Sequence, residues 1–464
     1  ASGVSSVTDD VAAPTLTAGQ AAEMARAAGL RLVRFLYCDN DSVVRGKSSG
    51  IADLETRLED GIGLTLAMQA FTMLDHLASY EGMGPVGEIR LVPDPATFVI
   101  APYAPHTGAV LVDMITLDGK PYAADGRAFL KRMVARAAER DLHILAAFEP
   151  EWTLATRVDG VYQPLDESGC FTSAGMNSAA GVIDEIVEAL TAQGLEVEQY
   201  YPELGWGQQE LSIAPAPAIA AADRHIHYKE TVRGIALRHG LYALFAPKPW
   251  LEQAGNGCHL HFSGWSSDWK TNRFYDQAQS YGLSTVARQF MAGVLDHLPA
   301  LVALTCASVN SYRRLQPQTW ASAYRVWGPD NREGALRVAS PTRSLQAQST
   351  NIELKASDSS SNPYVALGGL IAAGLDGIDR GLELPPPATT DPHLLSDSER
   401  RAIHADRLPQ SLQEAVGNLR GDPVLLGALG EQLAGSYMAV KDADIAAFAN
   451  EDQAFELRQH AYKF

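Results

Sequence analysis

The stretch Asn310–Val338, NSYRRLQPQTWASAYRVWGPDNREGALRV, constrains this chain more than any other. It gathers Arg313, Arg314, Arg325, Arg332 and Arg337 inside a protein whose formal net charge is -18. Crowded cations repel unless an anion sits among them, and the planar guanidinium fork suits a two-point grip on carboxylate or phosphate. Any one of these arginines reads equally well as a solvated surface charge with an acidic neighbour. Five of them beside Tyr312, Trp320 and Trp327 point to an anion site, and the fold has to bring that site together.

Length and charge bound what the anion belongs to. The 464 residues suffice for one large domain with an appendage, or for two to three domains. An acidic surface argues against nucleic acid or an anionic membrane as partner. No apolar run approaches the roughly 20 residues that span a bilayer. The opening residues are small and polar and read as a flexible terminus over 1–16, without the basic and apolar pattern of a signal peptide. Cys38, Cys170, Cys258 and Cys306 form no CxxC pair, which suits a reducing cytoplasm.

Thr17-Ala-Gly-Gln20 is a capping-box pattern opening an alanine-rich helix that stops at Gly29. A strand-turn-strand unit over 32–47, a helix over 51–60 and strands at 88–92, 97–101 and 110–117 then suggest a small α+β domain over 17–118. Beyond it, over 119–464, longer helices alternate with strands. Helices are expected at 129–140, 178–193, 219–239 and 280–297, and strands at 143–155, 195–201, 207–213, 241–245 and 257–263.

Chemistry-bearing residues fall on those strands. The side-chain period of 2 places Glu149 and Glu151 on one face, although Pro150 between them removes a ladder donor and fits an edge strand better than a central one. Glu203 and Glu210 flank the Gly-rich segment Gly205-Trp-Gly207 and are expected to face each other across a hairpin. His259 and His261 share a strand face, and Glu353 follows in Asn351-Ile-Glu-Leu-Lys355. Each piece alone reads as well as a solvated loop or a bonded core histidine. Carboxylates with a single histidine suit a hard cation, Mg²⁺ or Mn²⁺, rather than a structural zinc.

Taken in order, these segments resemble the glutamine synthetase superfamily over nearly all of residues 20–464. Glu149-Pro-Glu151, Glu203–Glu210, Ala221-Ala-Asp223 with Lys229-Glu230 and Pro247-Lys-Pro249 carry the likeness. It continues through Asn256-Gly-Cys-His-Leu-His261, Asn310-Ser-Tyr-Arg-Arg-Leu315, Asn331-Arg332, Arg337 and Asn362-Pro-Tyr364. The resemblance implies an α+β protein: an N-terminal β-grasp domain and a catalytic domain whose antiparallel sheet forms a half-barrel flanked by helices. It also implies subunit rings, a dodecamer being the expected assembly, with active sites at subunit interfaces. Two or three Mg²⁺ or Mn²⁺ ions per site are implied, with Glu151, Glu203 and Glu210 holding one and Glu149, His259 and Glu353 another. His261 and Ser263 would lie by ATP, Arg332 and Arg337 by the transferring phosphoryl group, and Arg314 on the glutamate carboxylate. Gly255, Lys355, Trp320 and Phe171 would complete the glutamate and amine pocket.

The departures concern the amine. Where ammonia-using members have a flap glutamate, this chain has Trp320. Gly63–Asp75 lacks their Asp-Gly-Ser-Ser motif, and Gly169-Cys170-Phe171 stands where they place a tyrosine. Lys355 replaces a second substrate arginine and Asn351 a nucleotide-side arginine. Ammonium needs anionic and polar groups in place of its hydration shell, whereas an indole packs against a larger amine. The resemblance therefore points to an ATP-dependent glutamate–amine ligase making a γ-glutamyl amide through γ-glutamyl phosphate. Relatives with tryptophan at the flap resemble polyamine, ethanolamine, methylamide and anilide ligases. A polyamine would want Asp75, Glu81 and Glu88; an alkyl or aromatic amine would want Met68, Phe71, Met73 and Phe171, which is the expectation preferred. Glutamine synthetase proper is the alternative enzyme, and a catalytically silent assembly protein the alternative class.

Overall fold

The computed structural model describes residues 16–464. The expected flexible terminus therefore lies outside the described residues, except for Leu16, which packs on the N-terminal core. Thr17 caps the first helix, Ala18–Ala27, through reciprocal bonds with Gln20.

Six strands follow: β1 (Leu32–Cys38), β2 (Val44–Gly50), β3 (Ile62–Thr65), β4 (Glu88–Pro93), β5 (Val99–Ile100) and β6 (Thr107–Thr116). They form a sheet in the order β2-β1-β6-β4-β3 with β5 beside β6, and β1 and β6 run parallel. The two central strands are apolar on both faces, as a doubly covered parallel pair requires. Val33, Phe35, Val110 and Val112 pack on the sheet's own helices, Ala18–Ala27 and Leu54–Asp60. Leu36, Cys38, Ala109 and Leu111 instead enter the core of the larger unit. The strand expected at 97–101 is only the two residues of β5. Pro95 and the Asp94 side chain, which accepts from the Ala96 N–H, wind 95–97 into a 3₁₀ turn instead.

The larger unit is a ten-stranded sheet curled into a half-barrel. Its strands are β7 (His143–Val158), β8 (Val161–Pro164), β9 (Val197–Pro202), β10 (Gln208–Ile213), β11 (Ala216–Pro217), β12 (Tyr242–Leu244), β13 (Cys258–Trp265), β14 (Tyr324–Pro329), β15 (Gly334–Val338) and β16 (Ile352–Leu354). The order is β14-β15-β16-β13-β7-β10-β9, with β8, β11 and β12 attached to β7. Residues of even number on β7 and β13, among them Ile144, Ala146, Phe148, Leu260 and Phe262, point into a core shared with the helices Gly126–Ala138, Thr285–Thr305 and Pro363–Arg380. The last two helices touch backbone to backbone, where a Cβ on Gly293 or Gly377 would collide with the main chain of the other helix.

Three expectations are corrected here. β7 is the central strand, and Pro150 is tolerated because it occupies a non-hydrogen-bonded position towards β13, next to the Glu151 N–H to Gly257 carbonyl bond, while the β10 pairing ends at Glu210 opposite Glu151. The helix expected from Ser280 starts at Thr285, capped by Ser284, and runs through Pro299 to Thr305. Glu203 and Glu210 do not face each other: the Glu203 amide pairs with the Gln208 carbonyl and Glu210 stands opposite Tyr201.

Arg127 ties the units together. It is 2% exposed on its side chain and meets Asp94 at 2.7 Å, Asp113 at 2.8 Å and Asp223 at 2.8 Å, while the Tyr364 hydroxyl donates to Asp223. Lys441 and Asp41, both buried, add a second tie at 2.5 Å.

Candidate active site

Register, rather than chain proximity, assembles the site. On β13, His259 stands opposite Glu149 of β7, and His261 stands opposite Glu353 of β16. Arg337 of β15 stands opposite Glu353, and Glu210 of β10 opposite Glu151 of β7. Directly opposed residues share a sheet face, so one row of pairings gives a floor of four glutamates, two histidines and an arginine. Glu203 joins from the end of β9.

The contacts are close. His259 Nδ1 lies 3.0 Å from Glu353 and 3.7 Å from Glu149. His261 Nε2 lies 3.0 Å from Glu149 and 3.9 Å from Glu353, and its Nδ1 is 2.9 Å from Asn351 Oδ1. The resemblance implies His261 beside ATP alone; the structure also brings it, with Glu149 and Glu353, into one cluster of metal-ligand geometry. Glu151 accepts from Gln208 Nε2 and from the Gly257 amide, both at 2.9 Å, and Glu210 accepts from the Tyr201 hydroxyl at 2.6 Å. Sequence reasoning misses Gln208 and Tyr201, although both follow from the strand period once the β9–β10 pairing is known.

The floor holds more negative charge than its own residues neutralise. Burial pushes the Glu210 carboxyl well above its usual value, and Glu149 and Glu151 push it further; Glu203 is raised by burial and by Glu151. Burial opposes ionisation of Glu149 and Glu353 too, yet His261 and His259 hold Glu149 well below the usual range, and Lys355 and His259 do so for Glu353. Burial would lower His261, but Glu149 lifts it to about 9. Hard oxygen donors with imidazole, crowded until one carboxyl resists ionisation, fit divalent cations.

The other expected residues lie on several elements. Arg314 is buried, donates through Nη2 to the carbonyls of Ser357 (2.8 Å) and Lys355 (3.2 Å), and leaves Nε without a hydrogen-bond partner among the described residues. Gly255 lets this side chain pass, since a Cβ there would come 2.7 Å from Arg314 Cγ. Lys355 lies 3.7 Å from Glu353, and Arg337 is ion-paired to Glu353 through Nε. Ser263 follows His261 on the same strand face and accepts from the Trp265 indole at 2.9 Å. Phe171 is exposed, with its ring edge-on to Tyr201 at 5.1 Å and next to Cys170, whose thiol faces Glu203. Trp320 is 62% exposed on a loop edged by Arg332. Arg313 pairs with Glu456 and Arg325 with Asp406.

One amine-wall expectation changes. Met73 is buried in its own subunit's core, so it cannot face a ligand. Asp75 and Glu88, both exposed, form ion pairs with Arg45 and Arg90.

Residues 123–460 match the glutamine synthetase catalytic domain, and residues 17–122 the glutamine synthetase N-terminal domain. Gamma-glutamylpolyamine synthetase GlnA3 of Streptomyces coelicolor is 36% identical over 417 residues, 89% of each chain. The glutamine synthetase of Thermus thermophilus is 36% identical over 379 residues, 79% of this chain and 84% of the relative. Among solved structures, a novel glutamine synthase homolog superposes with a TM-score of 0.84 at 31% identity, covering 94% of this chain and 99% of the other. A GmaS/ADP complex superposes with 0.83 at 29%, covering 94% and 98%. Fold and site together define an ATP-dependent ligase that acts on glutamate. The chain belongs to the glutamine synthetase family, whose members use ATP with Mg²⁺ or Mn²⁺. No helix among the described residues is long and apolar enough to cross a membrane.

Proposed function

We propose that this enzyme joins the γ-carboxylate of L-glutamate to an organic amine, giving a γ-glutamyl amide, ADP and phosphate through γ-glutamyl phosphate. One observation carries the reading: a complete acidic floor and its arginines are kept, while the flap position holds the exposed indole of Trp320. The relative named for γ-glutamylpolyamine synthesis supports it, and the likeness to GmaS solved with ADP supports its nucleotide half.

In this reading Glu151, Glu203 and Glu210 hold one cation, and Glu149, His259 and Glu353 a second, with His261 in reach of the latter. Mg²⁺ or Mn²⁺ bound there supplies positive charge to the transferring phosphoryl oxygens. Arg314 holds the glutamate carboxylate with its unpaired Nε. Arg332 and Arg337 face the phosphoryl group, which requires Arg337 to share its guanidinium between Glu353 and substrate. His261 and Ser263 border the nucleotide, and Gly255, Lys355, Phe171 and Trp320 border glutamate and amine. Subunits assemble in rings, twelve being the family's expectation, with a neighbour's β-grasp domain closing each site; the compartment is the cytoplasm.

The test is phosphate release from ATP and glutamate with ammonium, ethylamine, ethanolamine, putrescine or aniline, the product identified by mass. Turnover with an organic amine well above that with ammonium is expected; robust turnover with ammonium alone would refute the reading. Glutamine synthetase proper is the second reading, favoured by the equal identity to the Thermus thermophilus enzyme.

A further inference from the structure

Replacing a flap glutamate by tryptophan removes the anion that would meet an incoming ammonium group. The segment that carries Trp320 holds another acid. Glu333 lies at the turn between β14 and β15, and it is 7% exposed. Its Oε1 accepts from the Trp320 backbone N–H at 2.6 Å. Its Oε2 is buried and has no hydrogen-bond partner among the described residues. An unpaired carboxylate oxygen costs free energy when buried, and a cation removes that cost.

The surroundings match a cation's approach. A cavity of about 480 Å³ is lined by Gln318, Trp320, Arg332, Glu333 and Asp391 among others. Ala335, two residues on from Glu333, accepts the Lys355 N–H at 2.9 Å, and the Lys355 charge, beside Glu353, is felt by the Glu333 carboxyl. The loop above it bends through three left-handed non-glycine residues, Gln318, Trp320 and Ser322, at φ of 60°, 57° and 67°. Ser322 is pinned by its hydroxyl to the Gly334 carbonyl at 2.9 Å.

We propose that Glu333 receives the ammonium end of an alkylamine acceptor and takes one proton from it. This rests on the amine-ligase reading above and adds the group that does the flap acid's work. The ammonium enters under Trp320, whose indole covers the alkyl part. One N–H proton passes to Glu333 Oε2, and the freed nitrogen lone pair attacks the γ-carbonyl carbon of γ-glutamyl phosphate. The C–N bond forms as the C–O bond to phosphate breaks, and the nitrogen's second proton leaves with phosphate. Burial raises the Glu333 carboxyl above its usual value against the Trp320 amide; Asp391 raises it further, and the Gln318 amide and Lys355 pull it down. A somewhat raised carboxyl is a better proton acceptor than an ordinary one.

Glu333→Gln keeps an oxygen for the Trp320 amide and removes only the charge. The full-length oligomer is assayed with ATP, glutamate and its best acceptor among ethylamine, ethanolamine and putrescine, in parallel with hydroxylamine, which is largely uncharged at mildly alkaline pH and needs no base. The expected result is a loss of kcat/KM for the alkylamine on the order of 100-fold, with γ-glutamyl hydroxamate formation and the KM values for ATP and glutamate within about threefold of wild type. Glu333→Asp should recover part of the alkylamine rate. Retention of the alkylamine rate by Glu333→Gln overturns the proposal. Equal loss with alkylamine and hydroxylamine also overturns it, because it marks Glu333 as a loop anchor. If wild type accepts ammonium alone, the amine-ligase reading fails separately. Glu333 is then tested with ammonium against hydroxylamine: a loss confined to ammonium supports its role as proton acceptor, and an equal loss overturns it.

Discussion

Gly255→Ala is a sensitive probe of how glutamate is held. Gly255 has no side chain because Arg314 passes directly over it: a Cβ there would lie 2.7 Å from Arg314 Cγ, 3.0 Å from its Cδ and 2.5 Å from the Pro247 carbonyl. Ordinary carbon contacts are about 3.5–4.0 Å, so the arginine stem must retreat by roughly 1 Å. The carbonyl cannot move as readily, and Arg314 Nη2 is fixed to the Ser357 and Lys355 carbonyls, so the shift is passed to Nε, the atom left for substrate. A misplacement of this size costs on the order of 100-fold in rate, or about 2.7 kcal/mol of transition-state stabilisation. Overpacking also costs about 1–3 kcal/mol of stability, so the assay belongs well below the melting temperature. Steady-state kinetics at saturating ATP and amine should show kcat/KM for glutamate falling by that factor, with KM for ATP within about twofold. Gly181→Ala, in open space on the helix Ser173–Ala192, serves as the control. Glutamate kinetics within about threefold of wild type would refute the placement of Arg314 on substrate.

Arg127→Met leaves Asp94, Asp113 and Asp223 without their shared cation and should cost about 3–5 kcal/mol in urea denaturation; a loss below about 1 kcal/mol would contradict its role as the tie between the two sheets. Glu151→Gln should remove a Mn²⁺ site by calorimetry and lower phosphate release by at least about 100-fold, and unchanged metal stoichiometry would count against the assignment. His297, on the helix Thr285–Thr305, bonds Asp422 at 2.6 Å and Asp376 at 2.9 Å, with Arg380 and Asp296 beyond. Burial lowers its affinity for a proton, but the two aspartates outweigh that and raise it above the ordinary value. Its stabilisation is therefore complete below the unfolded value, about 6.5, and is lost as pH rises through the higher folded one. The stability difference between wild type and His297→Gln should shrink as pH rises above about 6.5, and a constant difference would rule the linkage out.

Strand periodicity by itself put Glu149 with Glu151 and His259 with His261, because side chains alternate and a spacing of two is a local fact. The capping box at Thr17 and the helix-ending glycines were legible for the same reason. Which strands lie side by side is not local. Nothing in the segment Cys258–Trp265 says that His259 stands opposite Glu149 and His261 opposite Glu353, with the closest side-chain contacts crossing over, His259 to Glu353 and His261 to Glu149; the register of β13 between β7 and β16 decides it. Glu203 and Glu210 look like partners in sequence, yet the β9–β10 pairing gives Glu210 to Tyr201. Met73 reads as a wall for ligand until burial in its own core removes it. Glu333 reads as an unremarked acid among five arginines, and only the folded loop shows one oxygen bound to the Trp320 amide and the other buried without a hydrogen-bond partner among the described residues. Sequence determines which residue types are present and how they alternate, and the ordered motifs pointed to the reaction class through the family they resemble. Desolvation and register depend on what packs against each group, so the tertiary structure alone decided which charges meet and which are left for a ligand.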